Sequence, residues 1–172
     1  MRRRRGREQQ TEIEMPTLEE YENFLSDVRE STGLDMLECD DGGLVSVSVD
    51  GRYTLNLQYV EATGKILCFV EVATLPPDAP AEVYRDLLAG GLFGRDTAGG
   101  YFAFEPESGI VVYNYIFDLE SSVRDVDGFV QLLENILKLC DLWSERIAEK
   151  LSAGESGGDA APPPDFGQMI MA

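Results

Sequence analysis

The feature that most constrains the fold is a series of three β-strand patterns in the first half of the chain. Valine and serine alternate over Val45–Val49, and apolar and polar side chains alternate again over Tyr53–Tyr59. Asp50-Gly51 between these runs is typical of a two-residue hairpin turn. Thr63-Gly64 leads into a third strand, Lys65–Ala73, which is apolar on both faces. We therefore expect the third strand at the centre of a sheet.

Helical periodicity and further alternation complete the expected fold. A capping box of Thr17 and Glu20 begins the first helix, and Gly33 ends it. The other predicted elements are a short helix over about residues 79–89 with Asp78 as its N-cap, strands over 101–105 and 110–118, and a long helix over about residues 125–151. The order α-β-β-β-α-β-β-α predicts an α+β domain with a twisted, antiparallel, mostly five-stranded sheet covered by helices on one face.

Composition divides the chain into three regions. Residues 17–152 are periodic and predict a single domain, whereas residues 1–16 are charged and polar and residues 153–172 are rich in Gly, Ala and Pro. We expect both terminal regions to be disordered. The arginine-rich N-terminus is interpreted either as an arm for nucleic acid or a membrane surface, or as a short cap. The apolar end Phe166–Met171 is either a docking peptide or an unstructured terminus.

The distribution of charge narrows the choice of partners. The chain carries a formal net charge of -18, of which residues 1–16 contribute +2 and the remainder -20. Such an acidic body repels phosphate backbones, so we expect no nucleic acid partner and instead a basic or amphipathic protein. No apolar run approaches the ~20 residues that span a bilayer, so we expect no membrane insertion and a cytoplasmic protein.

Several classes of catalytic and metal site are disfavoured by composition. The chain has no histidine, and Cys39, Cys68 and Cys140 are widely spaced without a CxxC pair. The glycine-rich loop 90–100 lacks phosphate-binding spacing and is interpreted as a flexible connector rather than a phosphate cradle. The pairs Asp40-Asp41 and Glu105/Glu107 could support acid–base chemistry, but they lie in predicted turns. We expect no catalytic residues, no metal site and no cofactor.

The predicted elements carry more apolar faces than three helices can cover. The third strand is apolar on both sides, Tyr53–Tyr59 adds another apolar row, and Leu92-Phe93 lies in a loop. Uncovered apolar surface on an acidic domain indicates an interface. Two interpretations remain open: a dimer with a second protein partner, or a monomer whose sheet is buried on both faces.

Four segments in order resemble the class I type III secretion chaperones, the Tir-chaperone or CesT-like family, over roughly residues 17–150. They are Tyr21-x-x-Phe24-Leu25 leading to Gly33-Leu34; the third strand with Leu75-Pro76-Pro77; Leu87-Leu88-Ala89, Leu92-Phe93 and Thr97–Phe104; and Phe117-Asp118-Leu119 followed by Phe129–Glu134 and Trp143. The chain departs from the family's pattern in its arginine run, its proline-rich end and Gly90-Gly91.

The resemblance implies a cytoplasmic homodimer without enzymatic activity. It implies that the partner is a secreted effector protein, whose unfolded N-terminal region binds in an extended form and stays competent for export. A secretion-apparatus ATPase is a further implied partner. The implied dimer residues are Leu87, Leu88, Leu92, Val111, Tyr113 and Tyr115. The implied effector-binding residues are Leu55, Leu57, Ile66, Cys68 and Val70. The alternative function is a general protein-interaction or regulatory module of the same fold, without a secretion role.

Overall fold

The computed structural model describes residues 15–156, with side chains described through residue 153. Its five strands form one antiparallel sheet in the order β1-β2-β3-β5-β4. The strands are β1 Leu44–Val49, β2 Tyr53–Val60, β3 Lys65–Thr74, β4 Tyr101–Glu105 and β5 Ile110–Asp118. The helices are α1 Leu18–Thr32, α2 Ala81–Gly90, α3 Leu119–Arg124 and α4 Val126–Ser156, with a 3₁₀ turn at Leu92–Gly94. The predicted α+β class and antiparallel sheet are confirmed.

The structure corrects three local expectations. Three residues, Asp50 to Arg52, separate β1 from β2, because Val49 pairs with Tyr53. The helix α3 was not predicted; the side chain of Asp118 caps it by accepting a hydrogen bond from the Ser121 N–H at 3.0 Å. Asp78 does not cap α2, which begins at Ala81 after Pro80 with no side-chain cap. These errors lie in caps and turns, where one hydrogen bond decides the boundary.

The predicted first helix is confirmed at both ends. The Thr17 hydroxyl accepts from the Glu20 N–H at 3.3 Å, and the Glu20 carboxylate accepts from the Thr17 N–H at 2.7 Å. Gly33 adopts a left-handed conformation, with φ of 70°, and its N–H donates to the Arg29 carbonyl at 2.8 Å. Both orphaned ends of α1 are therefore satisfied by the residues that sequence indicated.

The described residues extend slightly beyond both predicted ends of the domain. The Tyr59 hydroxyl donates to the Pro16 carbonyl, so the fold already includes the residue before the N-cap. At the other end α4 continues to Ser156. The predicted disorder of the arginine-rich N-terminus and of the proline-rich C-terminus falls on residues 1–14 and 157–172, which lie outside the described residues.

The described chain forms two compact units. The first contains residues 15–69 and 115–133. Its core includes an aromatic cluster in which Phe129 of α4 contacts Phe24 of α1 and Phe117 of β5, with ring centroids 4.8 and 4.6 Å away. Tyr21 stacks on Tyr59 at 5.5 Å and donates a hydrogen bond to the Leu57 carbonyl at 3.1 Å. The helix is thereby fixed on the sheet by both apolar contact and a satisfied hydroxyl.

The second unit contains residues 70–114 and 134–156. Trp143 of α4 lies at its centre and contacts Phe102 of β4, with ring centroids 4.8 Å apart. The Trp143 indole N–H donates to the Asp96 carbonyl at 3.0 Å. Gly90, the last residue of α2, lies directly against the indole, where a Cβ atom would come within 2.4 Å of it. The absence of a side chain at Gly90 therefore allows α2 to approach α4 closely.

The glycine-rich loop is fastened to this unit, in contrast to the flexible connector expected from sequence. The Tyr113 hydroxyl donates to the Thr97 carbonyl at 2.7 Å, and the fully buried Thr97 hydroxyl donates to the Gly100 carbonyl at 2.7 Å. Gly100 leaves no room for a side chain, because a Cβ atom would lie 2.3 Å from the Tyr113 hydroxyl. Buried, satisfied hydrogen bonds of this kind hold a loop in one conformation.

The contact between Gly90 and Trp143 gives a direct test of this packing. We expect Gly90→Ala to lower the free energy of unfolding by about 1–3 kcal/mol, the usual cost of overpacking. Gly91→Ala is the matched control, because its Cβ would meet nothing closer than 3.6 Å. Urea unfolding followed by Trp143 fluorescence measures both. Equal stability of the two variants would contradict the proposed close approach of α2 and α4.

Candidate protein-interaction surface

The two faces of the sheet differ sharply in burial. We define the inner face by the β1–β2 pairs Val45–Leu57 and Val47–Leu55, together with the buried alternate residues of β3. The outer face carries the intervening side chains of the same strands. On β3, Ile66, Cys68 and Val70 are fully buried on the inner face, whereas Leu67 and Phe69 on the outer face are half-buried. In the first unit, Tyr21 of α1 and Phe129 of α4 contact the inner face through Tyr59 and Phe117.

All five residues expected to bind the effector belong to the inner face. Leu55 and Leu57 are buried, and Ile66, Cys68 and Val70 have no solvent exposure. These side chains are inaccessible in the described subunit. A partner that reaches these strands without unfolding them can touch only the outer face or the edge of the sheet, since strand residues alternate between faces.

The six residues expected at a dimer interface fall into two groups. Val111 and Tyr113 are fully buried, Leu87 is buried and Tyr115 is half-buried. Leu88 and Leu92 are exposed, by 81% and 60%. Of the six residues, only Leu88 at the end of α2 and Leu92 in the turn that follows it are accessible to a second subunit.

Phe93 joins this pair and has the most unusual geometry of the exposed residues. Its side chain is 96% exposed, and its backbone adopts a positive φ of 58°. A left-handed conformation is unfavourable for a bulky residue, and an exposed phenyl ring gains nothing from water. We call Leu88, Leu92 and Phe93 the α2 patch. Leu92 and Phe93 lie on the loop that Trp143 and Tyr113 hold in place, and Leu88 lies in the last turn of α2.

The outer face mixes polar and apolar side chains in the first unit. The buried Asn56 accepts from the Ser46 hydroxyl at 2.6 Å and donates to the Phe69 carbonyl at 3.4 Å. Leu67 and Phe69 of β3 are half-buried on the same face, and Ile116 of β5 is 51% exposed. A face that combines a satisfied amide with half-buried apolar side chains suits contact with another polypeptide rather than a closed core.

The second unit has a mixed polar and apolar face of its own along β4 and β5. Tyr101 pairs with Asn114, and Ala103 pairs with Val112. Tyr101 and Ala103 are exposed, and Val112 is half-buried. Beside the faces, β1 and β4 occupy the two ends of the sheet order. Each edge strand offers backbone N–H and C=O groups to an added strand.

An ion-pair cluster links α2 to α4 in the second unit. Asp86 contacts the Arg146 guanidinium and the Lys150 ammonium, each at 2.9 Å. The hydrogen bond from Lys150, followed by that from Arg146, holds the pKa of Asp86 below its usual range. Arg146 also lies over the Trp143 ring, 4.8 Å from its centroid. These ion pairs connect α2 to α4 in addition to the close packing of Gly90 against Trp143.

The residues considered for chemistry have structural partners instead. The Asp40 carboxylate accepts from the backbone N–H groups of Gly42 and Leu44, each at 2.9 Å. The Glu105 carboxylate accepts from the N–H groups of Glu107 and Ser108 at 3.1 and 2.5 Å. Burial raises the pKa of the Cys140 thiol to about 12. Among the described residues, no group of three or more potential metal ligands occurs, and no helix is sufficiently long and apolar to cross a bilayer.

Comparison with known proteins places this geometry in a family. The profile of the Tir chaperone protein (CesT) family matches residues 23–144, which is most of the chain. The chain belongs to the CesT family. The resemblance to class I type III secretion chaperones inferred from the sequence is thereby confirmed.

Solved structures agree with the fold of this CesT-family chain. A chain of the HopA1–SchA chaperone–effector complex matches it with a TM-score of 0.61 at 23% identity, covering 76% of this chain and 99% of that one. A chain of the ExsC–ExsE complex matches with a TM-score of 0.63 at 18% identity, covering 76% and 96%. The Chlamydia pneumoniae protein CPj0713/CpB0740 is 26% identical over 107 residues, covering 58% of this chain and 79% of that protein.

The strand residues expected to bind the effector all belong to the buried inner face, and none of them belongs to the outer face. Alternation correctly grouped Leu55 with Leu57 and Ile66 with Cys68, but it could not say which group the helices cover. Tyr101 and Ile116 are exposed, but they lie in strands that are rich in aromatic and aliphatic residues. The composition of these strands therefore does not indicate which of their residues are exposed. Phe93 was identified only as an apolar residue of a loop. A sequence pattern can indicate a positive φ at glycine but not at phenylalanine, so the strained backbone of Phe93 could not be predicted.

The strained, exposed Phe93 predicts a stabilising substitution. Phe93→Gly should raise the free energy of unfolding by about 1 kcal/mol, because glycine adopts a positive φ without steric cost. Leu92→Gly is the control in the same turn and should lower it by roughly 0.5–1 kcal/mol. Chemical unfolding at low protein concentration measures both. A destabilised Phe93→Gly variant would show that the side chain makes contacts within its own subunit.

The Asp86 cluster predicts a pH-dependent stability difference. Because the folded pKa of Asp86 is lowered, its contribution is present above the unfolded pKa and disappears as the pH falls through the folded value. Asp86→Asn should therefore be less stable than the parent chain at pH 7, by about 0.5–1 kcal/mol for a partly exposed cluster. The difference should shrink below about pH 4. Urea unfolding at several pH values tests this, and a constant difference would contradict it.

Proposed function

We propose that this protein is a cytoplasmic, non-enzymatic, homodimeric chaperone that binds the unfolded N-terminal region of a type III secretion effector and keeps it export-competent. The observation that carries the proposal is the uneven cover of the sheet in a member of the CesT family. The inner face is sealed by helices, while the outer face and the α2 patch leave apolar side chains exposed. Such surface on a strongly acidic chain supports a function in binding polypeptides.

The effector segment is proposed to lie on the outer face of the first unit and along the β1 edge. Leu67, Phe69 and Ile116 provide apolar contacts there. Fixing an unfolded segment costs about 1–2 kcal/mol per residue in backbone entropy, so side-chain contacts need support from main-chain hydrogen bonds. The edge strand β1 can supply them. This placement replaces the inner-face residues Leu55, Leu57, Ile66, Cys68 and Val70, which are buried.

The α2 patch is proposed as the dimer contact. A two-fold axis near Leu88, Leu92 and Phe93 would bring each patch against its own copy, as in other isologous interfaces. Fully burying each of these side chains would contribute about 1.5–3 kcal/mol. The buried residues Leu87, Val111 and Tyr113 would then support the patch from within rather than touch the second subunit.

The related structures and the charge support the choice of partner. The HopA1–SchA structure is a chaperone–effector complex, so a chain of this fold occurs together with an effector. The net charge of -18 favours encounter with basic or amphipathic segments and repels other acidic surfaces. A secretion-apparatus ATPase as a second partner remains part of the proposal on the strength of the family alone.

Light scattering tests the dimer. We expect a particle of about twice the 19.0 kDa chain mass, and we expect Leu92→Asp to shift it towards the monomer by placing a charge in the contact. Leu142→Asp is the matched control, because Leu142 is similarly exposed, at 67%, but lies on α4 outside the α2 patch. A monomeric parent chain, or equal dissociation of both variants, would count against this interface.

Co-purification from the native cell tests the partner. We expect a companion protein in stoichiometric amount, identified by mass spectrometry as a substrate of the secretion apparatus. Ile116→Asp should reduce the recovered companion at least about tenfold, whereas Val123→Asp on α3, with a similar exposure of 44%, should not. A stoichiometric companion without any connection to secretion would favour the alternative, a general protein-interaction module of the same fold.

A further inference from the structure

A pocket in the second unit has a lining that shares no residue with the α2 patch. Its volume is about 320 Å³, which is within the range of small binding sites. Its lining residues are Leu75, Pro76, Pro77, Tyr84, Phe104, Pro106, Glu107, Ser108 and Gly109. The rings of Tyr84 and Phe104 meet edge to face with centroids 5.3 Å apart. Aromatic rings beside prolines form the kind of groove in which polyproline II segments dock.

The walls of this pocket are fixed by backbone contacts. The Leu75 N–H donates to the Gly109 carbonyl at 2.8 Å, and a Cβ atom at Gly109 would lie 2.4 Å from the Leu75 carbonyl oxygen. The segment before α2 is therefore clamped to the turn between β4 and β5. Glu105 holds the same turn through the N–H groups of Glu107 and Ser108. A ligand would enter a formed groove and would not need to order it.

The contacts between α2 and α4 show how far along α2 the end of α4 extends. Trp143 lies against Gly90, and Lys150, farther along α4, contacts Asp86, which is earlier in α2. The two helices are therefore antiparallel. Ser156 lies six residues beyond Lys150, or about 9 Å along the axis. The last described turn of α4 thus reaches the axial level of the first turn of α2, whose Tyr84 lines the pocket.

The residues that follow Ser156 have the composition that such a groove binds. Pro162-Pro163-Pro164 begins six residues later and is followed by Asp165 and Phe166. Six extended residues span up to about 20 Å, which exceeds the width of one helix. We propose that the groove of Tyr84 and Phe104 binds the Pro162–Phe166 segment of the same chain.

Attachment to α4 makes this contact effective even if it is intrinsically weak. A short linker gives an effective concentration in the millimolar range, so a segment with millimolar affinity would occupy the groove in much of the population. A proline segment also loses little backbone freedom on binding, because its φ angle is already restricted. The contact is apolar, and we expect that raising the salt concentration does not weaken it.

A labelled peptide of residues 157–172 tests the proposal by fluorescence polarisation. We expect it to bind the chain that ends at Ser156, and to bind the full chain at least about twofold more weakly, because the attached segment competes at an effective concentration similar to its dissociation constant. Tyr84→Ala in the shortened chain should weaken binding about tenfold, and so should a peptide with Pro162→Ala, Pro163→Ala and Pro164→Ala. The control Tyr101→Ala changes an exposed aromatic on the opposite face of β4 and should have no effect.

Amide NMR shifts provide a second readout that does not depend on the peptide in solution. The full chain and the chain ending at Ser156 should differ at Tyr84, Phe104 and Gly109, by the same amount at all protein concentrations. Equal spectra at these residues would overturn the proposal, and so would equal binding of the peptide to the Tyr84→Ala variant. A difference that grows with protein concentration would overturn it in favour of exchange of the segment between copies.

Discussion

The fold depends on the burial of one face of the sheet by α1 and α4. Inner-face pairs such as Val45–Leu57 are continuous with the aromatic contacts of Tyr21, Phe24 and Phe129 in the first unit. Trp143 has the corresponding role in the second unit. Successive side chains of a strand point to opposite faces of the sheet. When one set of alternate side chains packs into this core, the other set therefore lies on the outer face, without a helix to cover it.

That division explains how a stable acidic domain retains surface for other polypeptides. Leu67 and Phe69 remain half-buried and Ile116 remains exposed, although all three are apolar. The α2 patch is exposed for a different reason: the loop after α2 is fastened by Trp143 and Tyr113 while Phe93 keeps a strained backbone. A strained and fully exposed aromatic residue on a fixed loop is typical of a contact site, since the fold alone gains nothing from it.

Much of the fold was predictable because it follows from local rules. The capping box at Thr17, the left-handed Gly33, and the limits of β4 and β5 were read correctly from short patterns. The extra residue in the β1–β2 turn and the short helix α3 were not predicted, although the hydrogen bonds that set them are local. The fixed glycine-rich loop was not predicted because it depends on contacts from other parts of its unit. Trp143 and Tyr113, for example, hold the loop from positions far away in sequence.

The sequence pattern alone could not decide which strand residues are accessible to a partner, for a physical reason. A strand pattern identifies two sets of side chains, but the choice of the buried set depends on where the helices pack. The residues selected from the resemblance, such as Ile66 and Cys68, belong to the core, and the accessible residues are their neighbours Leu67 and Phe69. The resemblance itself was sound, because it rested on the order of elements, which the family match supports.

Hydrogen–deuterium exchange of the protein with and without the proposed effector partner tests most directly whether the outer face and edge of the sheet bind another polypeptide. We expect the partner to slow exchange at the amides of β1, the edge strand, while the buried amides of α4 around Ile136 and Cys140 remain unchanged. Unchanged exchange throughout the sheet in a complex of proven stoichiometry would contradict it. Such a result would mean that the uncovered face and its edge are not where another polypeptide binds.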